Sequence, residues 1–256
     1  MQKFVNLDVI ITDVMASHGK WRANKPAVIC DDIRITWGEF NQRINKVASG
    51  LMTLGLQKGD KVSLLMANRP ETLEILFGTV KAGGVIVPLS VMVPGDSLAR
   101  MIIDSDSKFL FVGPELREVI APYRSELKNI ANEGFIVVGE KTKEWNPYEP
   151  LLDGSSDEEP GVKLIYEDFF NIMYTSGTTG VPKGILHSHH NRTQFASMFA
   201  IDYRIDSSAI TIITTALYAN GTWLTMLPTV FVGGTLVIMT KFEPRDFLEL
   251  VSKERC

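Results

Sequence analysis

Hydrophobic and polar positions along this chain of 256 residues switch repeatedly between two periods. Apolar runs over residues 62–66, 85–89, 109–112 and 135–138 are short and rich in β-branched and aromatic side chains, which predicts buried strands. Between them the apolar positions fall at helical spacing. Phe40, Ile44, Val47, Ala48 and Leu51 share one helical face, with a capping-box pattern of Thr36 and Glu39 ahead of them and Gly55 at the end. Further helices are predicted from Pro70 to about Ala82, over residues 94–105 and over residues 115–130. Later strands are predicted over residues 169–174, 209–214 and 235–239, with a helix over 221–231 and a last helix opened by Pro244. This alternation predicts an α/β fold of layered, mostly parallel β-sheets flanked by helices.

The pattern breaks over residues 141–163. Asn146-Pro147, Glu149-Pro150, Asp153-Gly154-Ser155-Ser156 and the acidic run from Asp157 to Gly161 carry few apolar positions and predict an exposed connector. Its acids read as a solvated surface, with nothing in the spacing to fix them around a metal. The expected organisation is a first α/β subdomain over residues 1–140 and an acidic connector over 141–168. A Gly/Thr-rich loop and the start of a second subdomain follow over 169–256, expected to be incomplete at the C-terminal end.

Charge and composition narrow the function classes. A net charge of −4 supplies no electrostatic reason to expect nucleic acid or an anionic membrane as partner. Residues between Asp206 and Lys241 are uncharged over a length that would span a bilayer. Yet Asn220, Pro228, Gly233-Gly234 and several threonines divide the stretch, so it reads as buried core. The N-terminal residues are too polar for a signal peptide, and two cysteines make no disulfide framework. Cys30 ends an apolar run and is expected as a buried thiol, in keeping with a reducing, cytoplasmic location.

The strongest chemical signal is Tyr174-Thr175-Ser176-Gly177-Thr178-Thr179-Gly180-Val181-Pro182-Lys183-Gly184. Glycines let backbone N–H groups approach a ligand closely, and successive N–H groups make a concave site of positive potential. Hydroxyls at 175, 176, 178 and 179 and the charge of Lys183 add donors, and all of these favour polyphosphate. Pro182 before the lysine and Gly184 after it depart from a Walker A loop, whose lysine opens a helix; Lys183 is expected in a loop.

This segment resembles the phosphate-loop signature of the adenylate-forming superfamily, which includes acyl-CoA synthetases, luciferases and peptide-synthetase adenylation domains. The continuation Ile185-Leu186-His187-Ser188-His189-His190-Asn191 is similar to the family's. So are Thr36-Trp37-Gly38-Glu39-Phe40, Gly59-Asp60-Lys61-Val62 and the run from Lys81 to Leu89. The resemblance implies an ATP-dependent carboxylate–CoA ligase that forms an acyl-adenylate and then a thioester, using ATP, Mg²⁺ and coenzyme A. Thr175, Ser176, Gly177, Thr178, Thr179, Gly180 and Lys183 would contact the pyrophosphate. It also implies about as much chain again after Cys256, carrying an aromatic-Gly-x-Thr-Glu motif, a ribose-binding Asp and a late lysine. Alone, residues 1–256 are not expected to complete the reaction. The missing half is the first partner expected, with a homodimer possible.

The family's Pro-Leu-Phe-His-like motif at the carboxylate pocket corresponds to Ala216-Leu217-Tyr218-Ala219-Asn220-Gly221, with Ala219 in place of the histidine. Tyr218, Ala219, Asn220, Gly221 and Trp223 are the acyl-pocket candidates, and Trp223 reads equally well as core. No acid lies between Ser207 and Thr240 to meet an ammonium group, which favours a fatty or other hydrophobic acid over an amino acid. The alternatives are an adenylation domain that loads a carrier protein, and a non-enzymatic nucleotide-binding or interaction module. His187, His189 and His190 lack neighbouring ligands and read as no metal site; His189 is expected to pack and hydrogen-bond at the strand-to-helix turn, with His190 and Arg192 exposed.

Overall fold

A computed structural model describes residues 8–139, 144–175 and 182–256. Helix α1 (Ile11–Trp21) precedes β1 (Pro26–Cys30) and β2 (Ile33–Thr36), and α2 (Trp37–Thr53) follows directly. The chain then alternates through β3 (Lys61–Leu65), α3 (Pro70–Lys81), β4 (Val85–Pro88), α4 (Gly95–Asp104) and β5 (Ser107–Val112). After the four-residue α5 (Arg117–Ile120) come β6 (Phe135–Val137), β7 (Asn146–Pro147), α6 (Tyr148–Asp153), β8 (Phe169–Thr175) and β9 (Lys183–Ser188). The last elements are α7 (His189–Asp202), β10 (Ile210–Ile213), α8 (Trp223–Val232), β11 (Thr235–Ile238) and α9 (Pro244–Glu254).

Two sheets result, ordered β7-β6-β5-β3-β4-β8-β9 and β10-β11-β1-β2. All described pairings are parallel except the hairpins β8/β9 and β1/β2. Both sheets draw strands from either side of residues 141–168, so a division of the chain at the connector is not the division of the sheets. The larger sheet is buried on both faces, and the two-residue period of a strand sorts its side chains between two cores. Val62, Leu64, Ile86, Phe109, Phe111 and Ile136 join one core with α2, α3 and α8. Leu65, Val87, Leu110, Val112, Phe135 and Val137 join the other with α4.

The predicted cap of α2 forms as a reciprocal pair. The Glu39 N–H donates to Thr36 Oγ1 at 3.3 Å and the Thr36 N–H donates to Glu39 Oε2 at 2.8 Å, which satisfies donors that the helix end leaves open. α2 packs closely on α3 because Gly78 has no side chain: a Cβ there would lie 2.5 Å from Val47 Cβ. The long helix expected over 115–130 does not form. Pro122 supplies no N–H for a continuous ladder, and the segment is instead a 3₁₀ turn at Pro114–Leu116, α5, and a second 3₁₀ stretch at Ala121–Glu126.

The connector is also more ordered than its composition implies. Tyr148 and Leu152 of α6 are buried. Further along, Glu159 accepts from Lys81 Nζ at 2.7 Å and from Asn41 Nδ2 at 2.8 Å. A lysine enclosed between helices needs an anion, and the connector provides it, so one of its acids is held against α2 and α3.

Candidate active site

β8 and β9 form the hairpin that carries the phosphate-loop segment. Phe170 and Met173 anchor β8 in the core, and β9 returns antiparallel with Thr175 opposite Lys183. Lys183 is therefore the exposed first residue of a strand and not a loop residue. Ser176, Gly177, Thr178, Thr179 and Gly180 lie outside the described residues. One residue before the loop, the Tyr174 hydroxyl donates to Asp104 Oδ2 at 2.6 Å, with Met101 O also 3.0 Å away. Burial and then the Asp104 carboxylate push its ionisation well above the ordinary tyrosine value, so it remains a neutral donor.

A cleft of about 490 Å³ opens beside this hairpin. One wall comes from the chain after β4 and from α4, through Ser90, Val93, Ser97 and Met101. Met173, Tyr174 and Thr175 of β8 and Pro182, Ile185 and His187 on the β9 side form a second wall, and Tyr218, Ala219 and Asn220 a third. The cleft thus brings the two flanks of the phosphate loop, Thr175 and Pro182, together with three of the acyl-pocket candidates. Much of its lining is apolar, with hydroxyls, an imidazole and an amide as the polar groups.

Gly221 and Trp223 do not line it. Gly221 is exposed, and Trp223 is fully buried with its Nε1–H donating to Leu217 O at 2.8 Å. Its ring stands against Phe170 with centroids 6.1 Å apart. Trp223 is a core residue that holds the 218–220 turn from behind.

Arg192 reverses the sequence expectation of exposure. It is buried, with Nε donating to Asn171 Oδ1 at 2.7 Å and Nη2 donating to Asn220 Oδ1 at 3.1 Å. The guanidinium lies 4.6 Å from the Trp223 ring centroid and Nη2 lies 3.4 Å from His187 Nδ1. Burial lowers its pKa to about 10, which still leaves it charged at neutral pH. For His187, burial and then the Arg192 charge lower the pKa, against a raising contact with the Ile185 backbone. The imidazole of His189 is enclosed and packs edge-on to Phe170, with neither ring nitrogen hydrogen-bonded. Burial lowers its pKa to about 4; it packs as expected but makes none of the hydrogen bonds also expected of it. His190 is exposed, as expected.

Among the described residues no group of three or more His, Cys, Asp or Glu side chains could hold a metal, and no helix is long and apolar enough to cross a membrane. The residues that sequence reasoning missed are the wall from Ser90 to Met101, together with His187 and Arg192. One signal for the wall was present: in open parallel sheets, ligands sit beyond the C-terminal ends of the strands. β4, β8 and β10 all end at or shortly before cleft residues.

Residues 16–256 match the family model described as AMP-binding enzyme. The chain is 32% identical over 244 residues to 4-hydroxybutyrate–CoA ligase 2 of Metallosphaera sedula, covering 93% of this chain and 44% of that protein. It is 29% identical over 227 residues to long-chain-fatty-acid–CoA ligase FadD13 of Mycobacterium tuberculosis, covering 88% and 43%. The chain thus spans less than half the length of these curated relatives. The solved N-terminal domain of FACL13 from Mycobacterium tuberculosis superposes with a TM-score of 0.86 at 26% identity, covering 96% of this chain and 61% of that one. The anthranilate CoA ligase AuaEII, solved with anthranoyl-AMP, shares the fold with a TM-score of 0.91 at 24% identity, covering 97% and 49%.

Proposed function

We propose that this chain, which belongs to the AMP-binding enzyme family, forms the N-terminal portion of an ATP-dependent carboxylate–CoA ligase. In the first step an acid's carboxylate oxygen attacks the α-phosphorus of ATP, forming the acyl-adenylate as pyrophosphate leaves. In the second, the thiolate of coenzyme A attacks the acyl carbonyl and AMP leaves. The first step builds charge on the departing pyrophosphate, which preorganised donors stabilise. Thr175, Ser176, Gly177, Thr178, Thr179, Gly180 and Lys183 are the donors assigned to it. Mg²⁺ and coenzyme A would be bound mainly through segments outside residues 1–256.

The observation that carries this reading is the convergence of Thr175 and Pro182 with Tyr218, Ala219 and Asn220 on one cleft. An acid lying there has its head group beside the phosphate loop and its body against Val93, Met101, Met173 and Ile185. Those apolar walls favour a fatty or other hydrophobic acid.

Acid-dependent exchange of labelled pyrophosphate into ATP, run on the polypeptide that carries this chain with acids of graded length, tests the first step. No exchange with any acid would sink the ligase reading. A second reading, transfer to a carrier protein, is favoured by one further relative: fatty acid–[acyl-carrier-protein] ligase ScoC of Streptomyces coeruleorubidus is 27% identical over 241 residues, covering 91% of this chain and 44% of that protein. Mass spectrometry of the thioester formed with coenzyme A and carrier protein in competition separates the two acceptors.

A further inference from the structure

Arg192 is a buried cation for which the described residues supply no carboxylate. Its partners are neutral: Asn171 Oδ1 at 2.7 Å, Asn220 Oδ1 at 3.1 Å and His187 Nδ1 at 3.4 Å, with the Trp223 ring alongside. Burying a charge without a counter-charge is unfavourable, so what the guanidinium imposes on those partners matters. An arginine only donates. Asn220 therefore turns its amide oxygen inward to Arg192, which leaves its Nδ2 donors for the cleft that it lines. His187 Nδ1 faces two donors, Arg192 Nη2 and, at 3.5 Å, Asn171 Nδ2. Nδ1 is then the acceptor, and the neutral ring of this second cleft residue carries its proton on Nε2, for which the Ile185 backbone is the acceptor already beside the ring.

We propose that Arg192 is the positioning residue for the acid's carboxylate: it sets Asn220 and His187 as hydrogen-bond donors on the cleft wall and places a positive charge behind them. The proposal rests on the ligase reading and adds to it which residues select an anionic head group. Two donors backed by an uncompensated cation favour a carboxylate over an amide or ester of the same acid. The anion could instead be a nucleotide phosphate, and separate saturation curves for acid and ATP distinguish the two.

The test uses pyrophosphate exchange by the polypeptide that carries this chain, with KM for acid and for ATP measured independently. Arg192→Met removes charge and donors, and is expected to raise the acid KM by about thirty-fold, the loss of a charged hydrogen-bonded contact, with the ATP KM within about two-fold. Arg192→Lys keeps the charge but not the planar fork, and recovers part of the loss. Should Arg192→Met fail to fold, Asn220→Asp carries the test, because Asn220 is exposed. An aspartate there gives Arg192 its missing counter-charge, so the unfolding midpoint stays or rises. It also replaces a donor with a second acceptor, so the acid KM rises by at least about ten-fold. A purely structural Arg192 predicts the opposite, an acid KM in folded Arg192→Lys equal to that of the unmodified protein. Unchanged acid KM in a folded variant, or an equal rise in the ATP KM, overturns the proposal. Absence of any exchange by the unmodified protein instead overturns the ligase reading, and the positioning role with it.

Discussion

The Tyr148 hydroxyl donates to Glu74 Oε2 across 2.8 Å, and neither side chain is open to solvent. Tyr148 opens the short helix of the acidic connector, whereas Glu74 lies in α3, which packs beneath the larger sheet. Glu74 also accepts from Arg43 of α2 at 2.5 and 3.0 Å. The contact therefore ties the connector to both central helices.

Tyr148→Phe keeps the ring and removes one donor from a buried carboxylate. Loss of a hydrogen bond to a charged buried group costs about 1.5–3 kcal/mol. The expected result is a lowered urea midpoint at an unchanged slope, with native secondary structure by circular dichroism. A midpoint equal to that of the unmodified protein would show that Arg43 satisfies Glu74 alone.

Glu159 gives the fold an acid-sensitive clasp. Burial acts to raise its pKa, but Asn41 and Lys81 outweigh that and hold the carboxylate below its ordinary value of 4.5. The partners respond differently: Lys81 is nearly enclosed, and burial lowers its pKa. In the acid range the unfolded chain binds a proton on Glu159 more readily than the folded one does. The stabilisation is thus fully present above about pH 5 and fades as pH falls through the folded value. Glu159 is half-exposed, so screening limits its contribution to about 1 kcal/mol. Urea midpoints of Glu159→Gln and unmodified protein should differ at pH 7 and converge as pH falls through the folded value. Parallel curves would remove Glu159 from the acid response.

How much of this was legible in the chain depends on the range of the interactions. The capping box of α2 is a three-residue pattern, and the α/β layering follows from alternating periods, so both could be read directly. The break near Pro122 is equally local, but the apolar spacing on either side of it imitates one continuous helix. The clasp at Glu159 joins residues 118 positions apart, Asn41 and Glu159, which no local pattern reports. Arg192 was misread for the same reason. α7 has almost no amphipathic pattern, and the partners that make an arginine tolerable in the interior come from β8, β9 and the turn before α8.

Lys183 carries the assignment of the phosphate loop. Exposed at the start of β9 opposite Thr175, it can be truncated without opening a cavity. Lys183→Ala should therefore keep the unfolding midpoint within about 0.5 kcal/mol while weakening MgATP binding about ten-fold, the loss of one charge-assisted contact. Calorimetric titration of MgATP into both proteins measures this, and equal affinities would remove Lys183 from the site.

Ala219 gives a direct probe of where the acid lies. It lines the cleft between Tyr218 and Asn220, and Val93 and Met101 line the same cleft. A larger side chain at this position fills cleft volume without touching the buried supports Trp223 and Arg192. Ala219→Leu adds three methylene-sized groups, enough to exclude a comparable length of acyl chain from a space of about 490 Å³. If the acid's body occupies this cleft, the longest accepted acids should lose about ten- to hundred-fold in kcat/KM, since each methylene excluded from an apolar pocket is worth about 1 kcal/mol or more. Short acids and ATP should be affected by less than about two-fold, because the added side chain displaces acyl body and leaves the Asn220 and His187 donors in place. The readout is the ratio of kcat/KM between long and short acids, which is insensitive to the fraction of active protein. A uniform loss across all lengths would mean that Ala219 acts on the head group, and an unchanged ratio would place the acyl chain elsewhere.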